Sequence, residues 1–95
     1  MASQQIVFRV HAVRRMISRS VTGADVRRVL EAGDKIETYP DDKPYPSYLV
    51  LGWIGARPLH VVAADNANAK ETIVITVYEP DPACWEAGFR RRKRP

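Results

Sequence analysis

Three basic side chains recur at four-residue spacing near the start of the chain: His11, Arg15 and Arg19. On a helix this spacing lines them along one face, about 6 Å per step. An imidazole beside guanidinium groups can move protons while the arginines hold a phosphate or stabilise developing negative charge. Arg14, about 100° round the helix, joins from the side. The competing reading is a helix face in water. A second imidazole, His60, lies in a β-rich run. Alternation puts His60, Val62 and Ala64 on one face and Leu59, Val61 and Ala63 on the other. On a later run, Ile73, Ile75 and Val77 read as the core face, leaving Thr76 and Tyr78 to stand beside His60 if the register allows. The alternative for His60 is a half-buried histidine bonded to a neighbour.

Elements must hold these groups. Gln5 to Val10 is β-rich and reads as a first strand. From His11, the apolar spacing of Ala12, Val13, Met16 and Ile17 predicts a helix ending near Ser20. Thr22 is an N-cap with Asp25 as its capping-box partner, and a second helix runs to Gly33, read as a left-handed terminator. Strands follow at 35–39, 47–54, 57–64 and 71–79, with a Gly55-Ala56 turn. Prolines 40, 44 and 46 exclude a central strand between the first two of these. Residues 83–89 read as a short helix carrying Trp85 and Phe89. The expected fold is α+β, with two N-terminal helices packed on a mostly antiparallel three- to five-stranded sheet. Residues 1–89 form one domain, followed by a mobile basic tail at 90–95.

The 95 residues carry a net charge of +4, unevenly placed. Through Arg28, six arginines face the single Asp25; the middle of the chain is acidic; the last six residues hold Arg90, Arg91, Arg92, Lys93 and Arg94. Basic blocks attract phosphate polyanions through counterion release. On the proline loop, Lys43 and Tyr45 suit a phosphate and an unpaired base. Other aromatics, Trp53 and Trp85 among them, read as core. The single Cys84 excludes an internal disulfide and a cysteine-based zinc site within one chain. Two histidines without nearby ligand spacing make metal binding a poor reading, and no Gly-rich phosphate loop is present. No run spans a bilayer and no secretory signal is visible, so a reduced cytoplasmic setting is expected.

Several segments together resemble one bacterial family of domains of unknown function: His11-Ala12-x-x-Arg15-Met16-x-x-Arg19, Val29-Leu30-Glu31-Ala32-Gly33, Ile36-x-x-Tyr39-Pro40-x-Asp42-x-Pro44, Pro46-Ser47-x-Leu49, Pro58-Leu59-His60-Val61-Val62 and Ile75-Thr76-Val77-Tyr78-x-Pro80. The likeness covers roughly residues 9–85. Members of that family are often encoded beside zinc-finger antitoxins of the MqsA/YgiT kind, and its pattern is similar to RelE-like and barnase-like ribonuclease toxins. The resemblance implies a metal-independent endoribonuclease without a cofactor, the toxin half of a type II pair. Its partners would be RNA and a cognate antitoxin, and the chain a monomer or homodimer. His11, Arg15, His60 and Tyr78 fall at the family's recurrent polar positions and become the candidate catalytic set. Arg14, Arg19, Lys43, Tyr45, Arg90, Arg91 and Arg92 are the candidate RNA contacts. A non-catalytic nucleic-acid- or antitoxin-binding module is the alternative function, and a subunit paired through an edge strand is a third.

Overall fold

The computed structural model describes residues 5–94; Met1 to Gln4 of the expected domain and Pro95 of the expected tail lie outside them. The element order is β1 (Gln5–Phe8), α1 (Val10–Ser18), α2 (Gly23–Ala32), β2 (Asp34–Tyr39), β3 (Ser47–Ile54), β4 (Arg57–Asn66) and β5 (Glu71–Tyr78). The five strands form one sheet in the order β1-β5-β4-β3-β2. The α+β class holds, with two corrections. The helices follow a first strand instead of leading the chain, and the sheet is mixed, because β1 pairs with β5 in parallel. A parallel pairing needs a long connection. Here α1, α2 and three strands lie between the partners.

Local chemistry fixes the helix ends. The Asp25 N–H donates to Thr22 Oγ1 and the Thr22 N–H to Asp25 Oδ2, each at 3.0 Å, the reciprocal pair expected from sequence. The Thr22 N–H holds the Asp25 carboxyl below its ordinary value. α1 begins where β1 stops, since the Arg9 N–H donates to the Val74 carbonyl at 3.0 Å. At its other end, Arg57 donates to the Arg19 carbonyl at 2.7 Å and pairs with Glu79 at 2.6 Å, tying the helix to the sheet. Gly33 is extended, with φ −79° and ψ 178°, and is not a left-handed terminator. Glycine is required there for space: a Cβ would sit 2.5 Å from the carbonyl oxygens of Leu51 and Val29.

The helices cover one sheet face. Ala12, Met16, Val26 and Val29 meet Val50, Leu59, Val61, Ala63, Val74 and Val77 in the core. Val29 lies over Gly52, where an added Cβ would stand 2.7 Å from its methyls. The expected core face of β5 is only partly right. Val62 pairs with Thr76 but Ala63 with Val74, so a bulge leaves Ile75 without a partner on β4. The extra residue shifts the alternation: Val77 and Val74 face the helices, while Ile73, paired with Ala64, turns to the other face.

That outer face is covered in part by the chain's end. Residues 83–89 form turns and not a helix, with the Cys84 and Trp85 N–H groups donating to the Asp81 carbonyl. Gly88 and Phe89, both at positive φ (89° and 60°), reverse the chain, and the Lys93 N–H returns to the Cys84 carbonyl at 2.8 Å. Two of the basic residues beyond Phe89 have carboxylate partners: Arg90 pairs with Asp34 at 2.8 Å and Arg92 with Glu37 at 3.0 Å. The acidic β2 edge supplies the counter-charges.

Candidate functional site: an open cleft and a capped cluster

The outer face holds two polar regions. The first is a cleft of about 350 Å³ lined by Arg9, His11, Asp42, Lys43, Tyr45 and, as apolar floor, Ala64, Ile73 and Ile75, with Pro44 at the loop. The sequence explains its walls. Ile6 and Phe8 turn to the core, so alternation sends Val7 and Arg9 to the outer face. His11, exposed in the first turn of α1, places Nε2 3.0 Å from Thr76 Oγ1 on β5, beyond the stretch that β1 covers. The proline loop is anchored by Ser47 Oγ donating to Asp42 Oδ2 at 2.5 Å, which carries Lys43 and Tyr45 over the floor.

The second region surrounds His60, which is 0% exposed. Its Nε2 lies 2.9 Å from the Phe89 carbonyl, which only accepts, so this nitrogen carries the proton. Nδ1 is then the acceptor for the Tyr78 hydroxyl at 3.2 Å. The Trp85 ring packs edge-on at 4.5 Å. Burial pushes the imidazole below its ordinary value, against the opposing pull of the Phe89 carbonyl and Glu37. Burial also raises Tyr78. Beside them, Glu37 accepts two bonds from Arg92, at 3.0 and 3.2 Å, and one from Tyr39 at 2.5 Å. Burial pushes the Glu37 carboxyl up, but Arg92 and Tyr39 outweigh it and hold it below its ordinary value. Burial, helped by that carboxylate, pushes the half-buried Tyr39 up to about 12.

The expected catalytic set is thus divided. His60 and Tyr78 meet, as register allowed, but in a closed space. His11 stands in the open cleft with Lys43 and Tyr45. Arg14, Arg15 and Arg19 are exposed along α1 and its C-terminal end. The half-exposed sheet face expected for His60 is corrected by the cover: both of its nitrogens are engaged, so it cannot exchange protons with a bound substrate in this conformation. Arg90 and Arg92 are engaged with carboxylates, while Arg91 is exposed. Sequence reasoning missed Arg9, which its alternation with Phe8 marks, and the grouping of Glu37, Tyr39 and Arg92, which no local spacing marks. Among the described residues, no group of three His, Cys, Asp or Glu side chains is placed to hold a metal ion. None of the helices there is long and apolar enough to cross a membrane.

Neither a curated protein nor a solved structure matches this chain. A family model does, and it spans residues 8–79, from the end of β1 to the residue after β5, stopping short of the segment that caps His60. The chain therefore belongs to the family described as Domain of unknown function (DUF4258).

Proposed function

We propose that the domain is a metal-independent endoribonuclease that works in the open cleft, with His11 and not His60 as its base. The observation that carries this reading is the meeting of an exposed imidazole with Arg9, Lys43 and Tyr45 around an apolar floor. His11 takes the proton from the ribose 2′-hydroxyl as that oxygen bonds to the adjacent phosphorus. Arg9 and Lys43 offset the charge that builds on the phosphorane, and Tyr45 stacks on an unpaired base. The bond to the 5′-oxygen breaks, that oxygen takes a proton from water at the open mouth, and a 2′,3′-cyclic phosphate remains. Arg15 and Arg19 extend the positive field along α1, where further phosphates of the strand dock. With the resemblance to ribonuclease toxins, this supports a cytoplasmic toxin held in check by a partner protein. Incubating purified protein with single-stranded RNA and EDTA tests it. Cleavage that persists in EDTA and disappears in His11→Ala is the expected result, and intact RNA at enzyme excess rejects it.

One observation favours a second reading, a non-catalytic RNA-binding module: the other imidazole is shut away, so no second histidine serves as acid. That reading expects salt-sensitive binding without cleavage, unchanged by His11→Ala beyond the loss of one contact.

A further inference from the structure

The open cleft holds one group that a polyanion should not want. Arg9, His11 and Lys43 favour phosphate, yet Asp42 lines the same space. Its part in anchoring the loop does not explain its charge. Ser47, 2% exposed, donates its hydroxyl proton to Asp42 Oδ2, and the Asp42 N–H donates to the Tyr39 carbonyl at 3.2 Å. A neutral amide oxygen would accept the Ser47 proton equally well. Among the described residues, no cation lies within ion-pair distance of Asp42, the adjacent Lys43 included. Oδ1 has no hydrogen-bond partner there either. The cleft therefore carries an acceptor-only group with capacity to spare.

We propose that Asp42 makes the cleft a guanine site: its carboxylate accepts the N1–H and N2–H of one guanine while Arg9 and Lys43 hold the phosphate of the same nucleotide. This rests on the reading of the cleft as an RNA site, though not on its catalysis. Edge chemistry selects the base. Unpaired bases are read on their pairing edges, and guanine alone among the RNA bases has two N–H donors side by side there. Adenine and cytosine set one amino group beside a ring-nitrogen acceptor. Uracil places its N–H between two carbonyls. Each of these three brings a lone pair against the carboxylate. Two donors meeting it make charge-assisted bonds, and a base that leaves the acceptor unpaired is rejected. Oδ1 and the second lone pair of Oδ2 can take both protons with the Ser47 bond intact. The aliphatic floor suits the flat face of the ring, and about 350 Å³ lies at the small end of ligand sites, as a single nucleotide requires.

The test is NMR titration of ¹⁵N-labelled full-length protein with the 3′-monophosphates of guanosine, adenosine, cytidine, uridine and inosine. The guanosine form should bind about tenfold or more tighter than the adenosine, cytidine and uridine forms, the worth of one good two-bond contact to a base edge. Inosine keeps N1–H but lacks the 2-amino group, so it should fall between. In Asp42→Asn the amide oxygen keeps the Ser47 bond and the remaining atom becomes a donor. The guanine preference should then shrink to within about twofold, while inorganic phosphate binds as well as before or better. The nucleotide series on the parent needs no variant, so it decides the matter even if Asp42→Asn folds poorly. Equal affinities, a preference for another base, inosine matching guanosine, or no shifts with any nucleotide each overturn the proposal, as does a guanine preference that survives in a folded Asp42→Asn. Guanine-selective binding with RNA left intact removes only the ribonuclease reading, and cleavage without base selectivity removes only this one.

Discussion

The chain has two imidazoles, and the fold treats them oppositely. His11 sits at a helix start, exposed, with one nitrogen on a threonine hydroxyl and basic groups around it. His60 sits mid-strand, sealed under Trp85 and the Phe89 carbonyl, with both nitrogens satisfied. Each is a histidine beside polar neighbours, and only cover separates them. The cover comes from residues 80–94, beyond the span of the family match. Proton transfer needs an imidazole that substrate can reach, whereas an imidazole satisfied by a carbonyl and a phenol holds elements together.

Exchanging each histidine for alanine should separate these roles. His11→Ala should cut RNA cleavage by about 100-fold or more, the typical worth of a positioned base, while stability moves within about 0.5 kcal/mol, as for an exposed site. His60→Ala should do the reverse. It leaves a cavity, orphans the Phe89 carbonyl and removes the surface on which Trp85 packs, costing about 2–4 kcal/mol in urea unfolding. A stable His60→Ala that has lost cleavage would move the chemistry to the capped cluster.

Acid should find His60 as well. Its folded value lies below the unfolded one near 6.5, so the unfolded chain binds the extra proton first. The stability that neutral His60 provides is complete above about pH 6.5 and declines as pH falls toward the depressed folded value, by up to about 1.4 kcal/mol per unit. Urea midpoints measured from pH 7.5 to 5 should fall more steeply for the parent than for His60→Gln. Equal slopes would mean that the imidazole stays hydrated. In the cleft, Lys43→Ala and Tyr45→Ala should each weaken RNA binding about 3–10-fold in a fluorescence titration. Only the lysine change should lower the salt slope, by about 1, since stacking releases no counterion.

Much of this architecture was legible because local chemistry and tertiary structure agree. The Thr22–Asp25 box, the span of β3 and the Gly55-Ala56 turn needed only neighbours in sequence. Several misreadings share one cause, contacts between residues far apart. Nothing near Ile75 announces that β5 takes a bulge against β4, yet that residue decides which isoleucines line the cleft. Gly33 carried the right residue for the wrong reason, because its need for space arises in part from Leu51 on another element. Arg90 and Arg92 looked like a free basic end, since the carboxylates that hold them, Asp34 and Glu37, lie more than fifty positions earlier. For the same reason His60 and Tyr78 were placed side by side correctly while their cover went unseen.

The two arginines that pin the cover offer the finest test of how firmly it is held. Arg90 and Asp34 make one contact at 2.8 Å with both side chains more than half exposed. Such a pair contributes at most about 1 kcal/mol and is screened by salt. Arg92 donates twice to Glu37 and rests its guanidinium 4.6 Å from the centre of the Trp85 ring. It therefore adds a stacked cation and keeps a counter-charge on a partly buried carboxylate. Arg90→Ala should thus lower stability by less than about 1 kcal/mol, with the loss fading in 0.5 M salt, and Arg92→Ala should cost more and keep most of its effect there. Hydrogen exchange at the Trp85 and Lys93 amides reads the same difference locally: little change in Arg90→Ala, faster exchange in Arg92→Ala. If both variants exchange like the parent, Trp85 packed on His60 holds the cover by itself, and the closure of His60 is a property of apolar burial and not of the basic end.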